Sequence, residues 1–170
     1  MIIRKAQVED AQAIIDHVNQ IAGESTYHTL VFGELDQDLE DQVAYIEAVL
    51  QSTNCLMAIC EVDGDLVGIM TVDGGNRSKT RHWGNLGISL KKAHTGQGYG
   101  SKLMAYLEDW IKQPSTEIEK VNLVVHEKNT RAIVFYEYLG YNPEGCSTGY
   151  FKEGTTYYNG LHMGKWYTKV

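Results

Sequence analysis

Apolar positions along the first fifty residues repeat at three and four, which is the spacing of a helix with one buried stripe. Ile2 and Ile3 open a short strand. Val8, Ala11, Ile14, Ile15, Val18 and Ile21 then predict a helix over about Val8–Ile21, and Val43, Ile46 and Leu50 predict a second over about Leu39–Leu50. Between them, Ala22–Asp36 has no clean period and carries Glu24, Tyr27, His28 and Phe32, as expected of a loop or broken helix near a site. The pattern then shortens. In CLMAICEVDGDLVGIMTV two β-prone runs flank Asp63–Gly64, a pair that tolerates positive φ and closes a tight hairpin.

A polar loop leads into a strand over roughly His82–Leu90, where Gly84 and Gly87 mark a bulge or a close backbone approach. Leu103, Met104, Leu107, Trp110 and Ile111 predict a helix over about Ser101–Lys112, with Pro114 beyond its end. Val121–Val125 reads as a strand. Asn129 caps a helix that stops at Gly140, and two strands follow, about Cys146–Lys152 and Tyr158–Tyr167. The order β-α-α-β-β-β-α-β-α-β-β, without repeat or linker, predicts one α/β domain over residues 1–170, built on a mixed, twisted sheet.

Composition narrows the function classes. Fifteen Lys and Arg against 22 Asp and Glu leave a net charge of −7, which disfavours nucleic-acid backbones and mildly favours a cationic substrate. No apolar run approaches the length of a membrane span, and the N-terminus turns acidic before any long apolar run, so a cytoplasmic location is expected. Cys55 and Cys60 fall on opposite faces of one strand and Cys146 is remote, so neither a disulfide framework nor a zinc signature is expected.

The candidate chemistry begins at LGISLKKAHTGQGYGSKL. Gly96, Gly98 and Gly100 link a strand directly to a helix; such a turn can aim successive N–H groups, and the helix dipole, at one anion. Ser101 stands where a G-x-G-x-x-G pattern needs its last glycine, and it separates Gly100 from Lys102, which excludes the G-x-x-x-x-G-K-[ST] loop. Two readings of the turn stay open here: phosphate binding, and mere close packing of strand on helix. Downstream, Ala132, Ile133, Phe135, Tyr136 and Leu139 outline one face of the helix capped by Asn129.

These two segments together resemble the GCN5-related N-acetyltransferase (GNAT) family. The pattern [QR]-x-x-G-x-[GA] is met at Gly98 and Gly100, with Thr95 in place of Gln or Arg, and Asn129 and Tyr136 stand in N-x-R-A-I-x-x-Y-x-x-x-G-Y. The resemblance implies the GNAT-type acyl-CoA N-acyltransferase fold: a mostly antiparallel sheet flanked by helices, with strands 4 and 5 splayed. It implies acetyl-CoA as cosubstrate, with pantetheine along Ile88 and Leu90 and pyrophosphate over Thr95, Gly96, Gln97, Gly98, Gly100 and Ser101. Transfer is expected to be direct, with Tyr136 protonating the departing thiolate, Asn129 orienting a water or the pantetheine arm, and a backbone N–H near Leu90 meeting the thioester oxygen.

The implied acceptor is a small amine or a peptide amino terminus. Some relatives carry a glutamate on the fifth strand where this chain has Val124, which leaves Glu24, His28, His82 and His126 as candidate bases; His94 is expected to position phosphate or adenine. No metal site, metal-hydrolase pair or serine elbow is present. A non-catalytic acyl-CoA sensor of the same fold is the alternative. The aromatic segment Tyr157–Tyr167 is expected either to support a homodimer or to line the acceptor site.

Overall fold

The structure, a computed structural model, describes residues 1–25, 27 and 38–167. Its frame is one sheet of seven strands: β1 (Ile2–Lys5), β2 (Leu56–Val62), β3 (Asp65–Gly74), β4 (Trp83–Leu90), β5 (Lys120–His126), β6 (Asn142–Glu153) and β7 (Thr156–Trp166). Their order across the sheet is β1-β2-β3-β4-β5-β7-β6. All neighbours are antiparallel except β4 and β5. A parallel neighbour needs a crossover, and helix α3 (Tyr99–Ile111) supplies it.

Alternation along the strands divides the core in two. Leu56, Ala58 and Cys60 face α3 and α4 (Thr130–Tyr138), while Met57 and Ile59 face α1 (Ala11–Glu24) and α2 (Leu39–Gln51). The hairpin turns at Asp63 and Gly64, both with positive φ, as the Asp-Gly pair predicts. Of the two outcomes expected at Gly84 and Gly87, the close approach holds and the bulge does not: a Cβ on Gly84 would meet Val72 Cγ1 at 2.5 Å and one on Gly87 would meet Thr71 Oγ1 at 2.9 Å. The β3–β4 ladder is unbroken past Gly84 and Gly87, whereas β3 bulges against β2, where Cys60 faces Gly68 and Glu61 faces Leu66. Val67 is the extra residue, and it resets the strand so that Val67 and Met70 enter one core while Leu66 and Ile69 enter the other. A Cβ on Gly68 would meet Leu90 Cδ2 at 2.5 Å, so the smallest residue is what lets β4 close on the bulge.

The helices shift modestly from their sequence patterns. Residues Val8–Asp10 form a 3-10 turn before α1, and α1 buries Ala11, Ile14, His17 and Ile21, with Val18 only partly covered. In α2 the buried stripe is Gln42, Ile46 and Val49, and Leu50 faces solvent rather than the core. Helix α3 starts two residues earlier than its apolar stripe predicts, capped by Gly98, so Gly100 lies in its first turn. The predicted stripe of α3 is buried throughout. Helix α4 buries only Tyr136; Ala132, Ile133 and Phe135 are half-covered and Val134 and Tyr138 are exposed, which leaves it as a wall rather than a core element.

At the C-terminus β6 and β7 run longer than expected, and β6 takes Pro143 without cost as an edge strand. Tyr158 turns in against His126, while Tyr157 and Trp166 stay exposed. Cys55, Cys60 and Cys146 are free thiols. Among the described residues no helix is long and apolar enough to cross a membrane.

Candidate active site

The parallel pair β4–β5 is short. It matches Trp83 with Lys120, Gly84 with Val121 and Asn85 with Asn122, and there it ends. Beyond Asn85 the strands diverge, so the β5-facing backbone of the rest of β4 meets no strand. Into this split opens a cavity of about 640 Å³, walled by Ile88, Ser89 and Leu90 of β4, the glycine turn, the end of α1 and one face of α4.

The glycine turn forms one end. Gly96 and Gly98 have φ of 78° and 82°, a region costly for L side chains. Gly98 caps α3, and a Cβ there would meet no protein atom within 4 Å, so the open space belongs to the cavity. The N–H groups at the start of a helix thus border a space that no described residue fills. Arg131 Nη2 lies 3.2 Å from where a Cβ on Gly96 would sit, and Lys92 and Lys128 line the same cavity. Fixed N–H groups with three side-chain cations suit this part of the cavity to anionic oxygens.

Tyr136 lines the same cavity, entering from α4. It is 8% exposed and packs edge-on against Tyr141 and beside Phe135. Burial raises its phenol well above the ordinary range, so the hydroxyl keeps its proton at neutral pH. Among the described residues no polar group hydrogen-bonds it. A protonated hydroxyl facing a cavity is equipped to donate. Asn129 sits beside it as the cap of α4, its Oδ1 accepting from the Ala132 N–H at 3.2 Å. The side-chain amide N–H groups remain for the cavity.

Of the residues singled out from sequence, the cavity brings together Ile88, Leu90, Thr95, Gly96, Gly98, Gly100, Ser101, Asn129 and Tyr136. Gln97 is not among its walls: its Nε2 donates to the Ala93 carbonyl at 2.9 Å and braces the loop. Glu24 lines the cavity, but its carboxylate is occupied. Oε2 accepts from the Lys92 N–H and Oε1 from Gln20 Nε2, each at 2.7 Å, and these bonds hold its pKa below the ordinary carboxylate range. Glu24 is therefore anchored, and a weak base.

The histidines separate clearly. His82 lies before β4, at the opposite end from the cavity, stacked on Trp166. His126 is buried among Tyr27, Phe151 and Tyr158; the Lys128 N–H donates to its Nδ1, so the ring proton sits on Nε2, 3.6 Å from Glu153. Neither lines the cavity, nor does His94, which tilts against Tyr99. His28 and Phe32 lie outside the described residues. Val124 is half-buried on β5, opposite His162 of β7.

The sequence reading missed a contact from α1. His17 is 1% exposed, and its Nε2 lies 2.9 Å from Oγ of Ser89, which lines the cavity. Its signal is visible in retrospect: a titratable residue sits in the apolar stripe between Ile14 and Ile21. The cations Lys92, Lys128 and Arg131 were likewise unmarked, because basic residues in polar loops read as solvated surface.

A mixed sheet split between its fourth and fifth strands, with a glycine-capped helix at the mouth, is the architecture of acyl-CoA-dependent acyltransferases. Residues 17–141 match the acetyltransferase (GNAT) family, and the chain belongs to it. Its general activity is that of an acetyl-CoA-dependent acyltransferase. The chain is 25% identical to the L-amino acid N-acetyltransferase AaaT of Escherichia coli (strain K12) over 172 residues, which is 97% of each chain. Its fold is that of an acetyltransferase of the GNAT family from Streptococcus pneumoniae, with a TM-score of 0.93 at 24% identity over 98% of this chain and 99% of that one. It also superimposes on yncA of Salmonella typhimurium, solved with its cofactor acetyl-CoA, with a TM-score of 0.84 at 18% identity over 100% of this chain and 95% of that one.

Proposed function

We propose that this protein moves the acetyl group of acetyl-CoA onto a primary amine, with both substrates bound at once. One observation carries the reading: the glycine turn with its cations and a buried, protonated Tyr136 line one cavity opened by the β4–β5 split. The residues present suit coenzyme A. The Gly96–Ser101 turn with Lys92, Lys128 and Arg131 matches a diphosphate, and the open edge of β4 at Ile88 and Leu90 offers backbone groups to the pantetheine amides. Leu90 and Phe135 supply an apolar wall.

The reaction forms an amide C–N bond and breaks a thioester C–S bond. The ammonium must lose a proton before it can attack, and sulfur must gain one as it leaves. Tyr136, lining the cavity from α4, gives that second proton. An amine acceptor of the amino-acid class is the first choice, because the E. coli relative is named for L-amino acids and aligns along nearly the whole chain. Polyamines, small amino compounds and protein amino termini follow.

The test is free-thiol release from acetyl-CoA across a panel of amino acids, polyamines and short peptides, with Tyr136→Phe as control. Amine-dependent turnover that falls at least about tenfold in the variant supports transfer with Tyr136 as the acid. Tight coenzyme A binding without turnover on any amine would instead favour a sensor of the same fold.

A further inference from the structure

Transfer to an ammonium needs a proton acceptor, and among the described residues the site is short of one. Val124 replaces the acidic residue found in some relatives, Glu24 is tied to Lys92 and Gln20, and His82 and His126 stand outside the cavity. One further imidazole reaches the cavity indirectly. His17 projects from the buried face of α1 onto β4, and its Nε2 contacts the Ser89 hydroxyl at 2.9 Å. Ser89 is half-buried and forms part of the cavity wall beside Leu90, so the hydroxyl is the wet end of the pair and the imidazole the dry end.

The geometry points to Ser89 and His17 as the proton relay for the acceptor amine, a role that rests on the acyltransfer reading above. Ser89 Oγ–H donates to His17 Nε2 and keeps its lone pairs toward the cavity. As an ammonium N–H proton passes to Oγ, the Ser89 proton passes to Nε2, and the freed nitrogen pair forms the C–N bond. The C–S electron pair leaves on sulfur, which takes the Tyr136 proton, and the second proton shed by nitrogen restores the tyrosine. The net result is one proton on His17, released to solvent when product leaves.

The surroundings suit an imidazole that gains charge. Glu24 lies two turns further along the same face of α1, and its anionic charge and a charged His17 attract. Lys91 and Lys92 follow β4 on the other side of Glu24, where the Lys92 amide already holds the carboxylate. On α2 and β3, which pack against α1, Tyr45 pairs with Asp73. The Tyr45 hydroxyl donates to that carboxylate at 2.6 Å, so it is satisfied within itself.

The test is the pH dependence of kcat/KM for an alkyl amine from about pH 6 to about pH 10, in wild type, Ser89→Ala and His17→Gln. Coenzyme A affinity, measured by calorimetry, reports the fold of each variant. Wild type is expected to rise through a group near neutrality. In both variants that limb is expected to vanish and the rise to move to the pKa of the amine itself, about 10. The deficit is then about tenfold or more at neutral pH and shrinks as bulk base deprotonates the substrate. A merely structural contact would lower the curve at every pH without moving it. Profiles in Ser89→Ala that parallel wild type overturn the relay, as does a limb erased by His28→Gln alone. Wild type that turns over no amine sinks the transfer reading and the relay with it.

Discussion

At Tyr136 and Gly98 the proposed function separates into a test of chemistry and a test of binding. Replacing Tyr136 by Phe removes one oxygen and keeps the ring that packs against Phe135 and Tyr141. Thermal stability should therefore stay close to wild type while kcat falls about 10²-fold, within the span of general-acid effects, and KM for acetyl-CoA moves little. Steady-state kinetics with a melting curve checks both halves; an equal fall in binding and kcat would make Tyr136 a positioning group. Gly98→Ala should do the reverse. A φ of 82° costs an L residue about 1–2 kcal/mol, and the new methyl enters the space at the helix N-terminus. Coenzyme A affinity, read by calorimetry, is expected to fall about tenfold or more, with some loss of stability. Unchanged affinity would put the anion elsewhere.

Among the elements, α4 carries two residues of the proposed site, Asn129 and Tyr136, on little structure. It has nine residues, one of them buried, and its first turn depends on Asn129. Asn129→Ala should cost about 1 kcal/mol of stability through the lost cap. Asn129→Asp keeps a capping oxygen but removes the amide N–H groups, so stability should hold while turnover drops if those groups touch substrate. Comparing the two by melting temperature and kcat separates the cap from the site; equal turnover in Asp and wild type would leave Asn129 a cap only. Elements governed by local chemistry were legible in the chain itself: the Asp63–Gly64 hairpin, the α3 stripe, the glycine turn, and the cap and Tyr136 of α4. What was not legible depends on register between distant strands. The bulge at Val67 shows only in the register of β3 against β2, and the Ser89–His17 contact joins residues 72 apart in the chain. The inward turn of α2 also eluded its apolar pattern, since Gln42 is buried where Leu50 is not.

Across the whole molecule the sheet has two edges, and β1 is the shorter, held by β2 alone. An edge of four residues needs a fastening, and Arg4 provides it. Its guanidinium makes bidentate bonds to Asp10 (2.7 and 2.8 Å) and to Glu61 (3.1 Å each), joining β1, the turn before α1 and β2. The Arg4 bond, ahead of the Gln7 amide, holds the Asp10 pKa below its ordinary 3.8. A carboxylate with a depressed folded pKa contributes stability that is fully present above its unfolded value and is lost as pH falls towards the folded one. Wild type should therefore lose melting temperature as pH drops below about 4, in part through this network. Arg4→Met keeps an apolar stem and removes the charge. It should be less stable at pH 7 by about 1 kcal/mol, an amount set by partial exposure of the pair. Near pH 2 the gap should narrow, because protonated Asp10 no longer distinguishes the two proteins. Melting curves of both at the two pH values decide the matter, and a gap that stays constant would assign the fastening to packing of the arginine stem rather than to its charge.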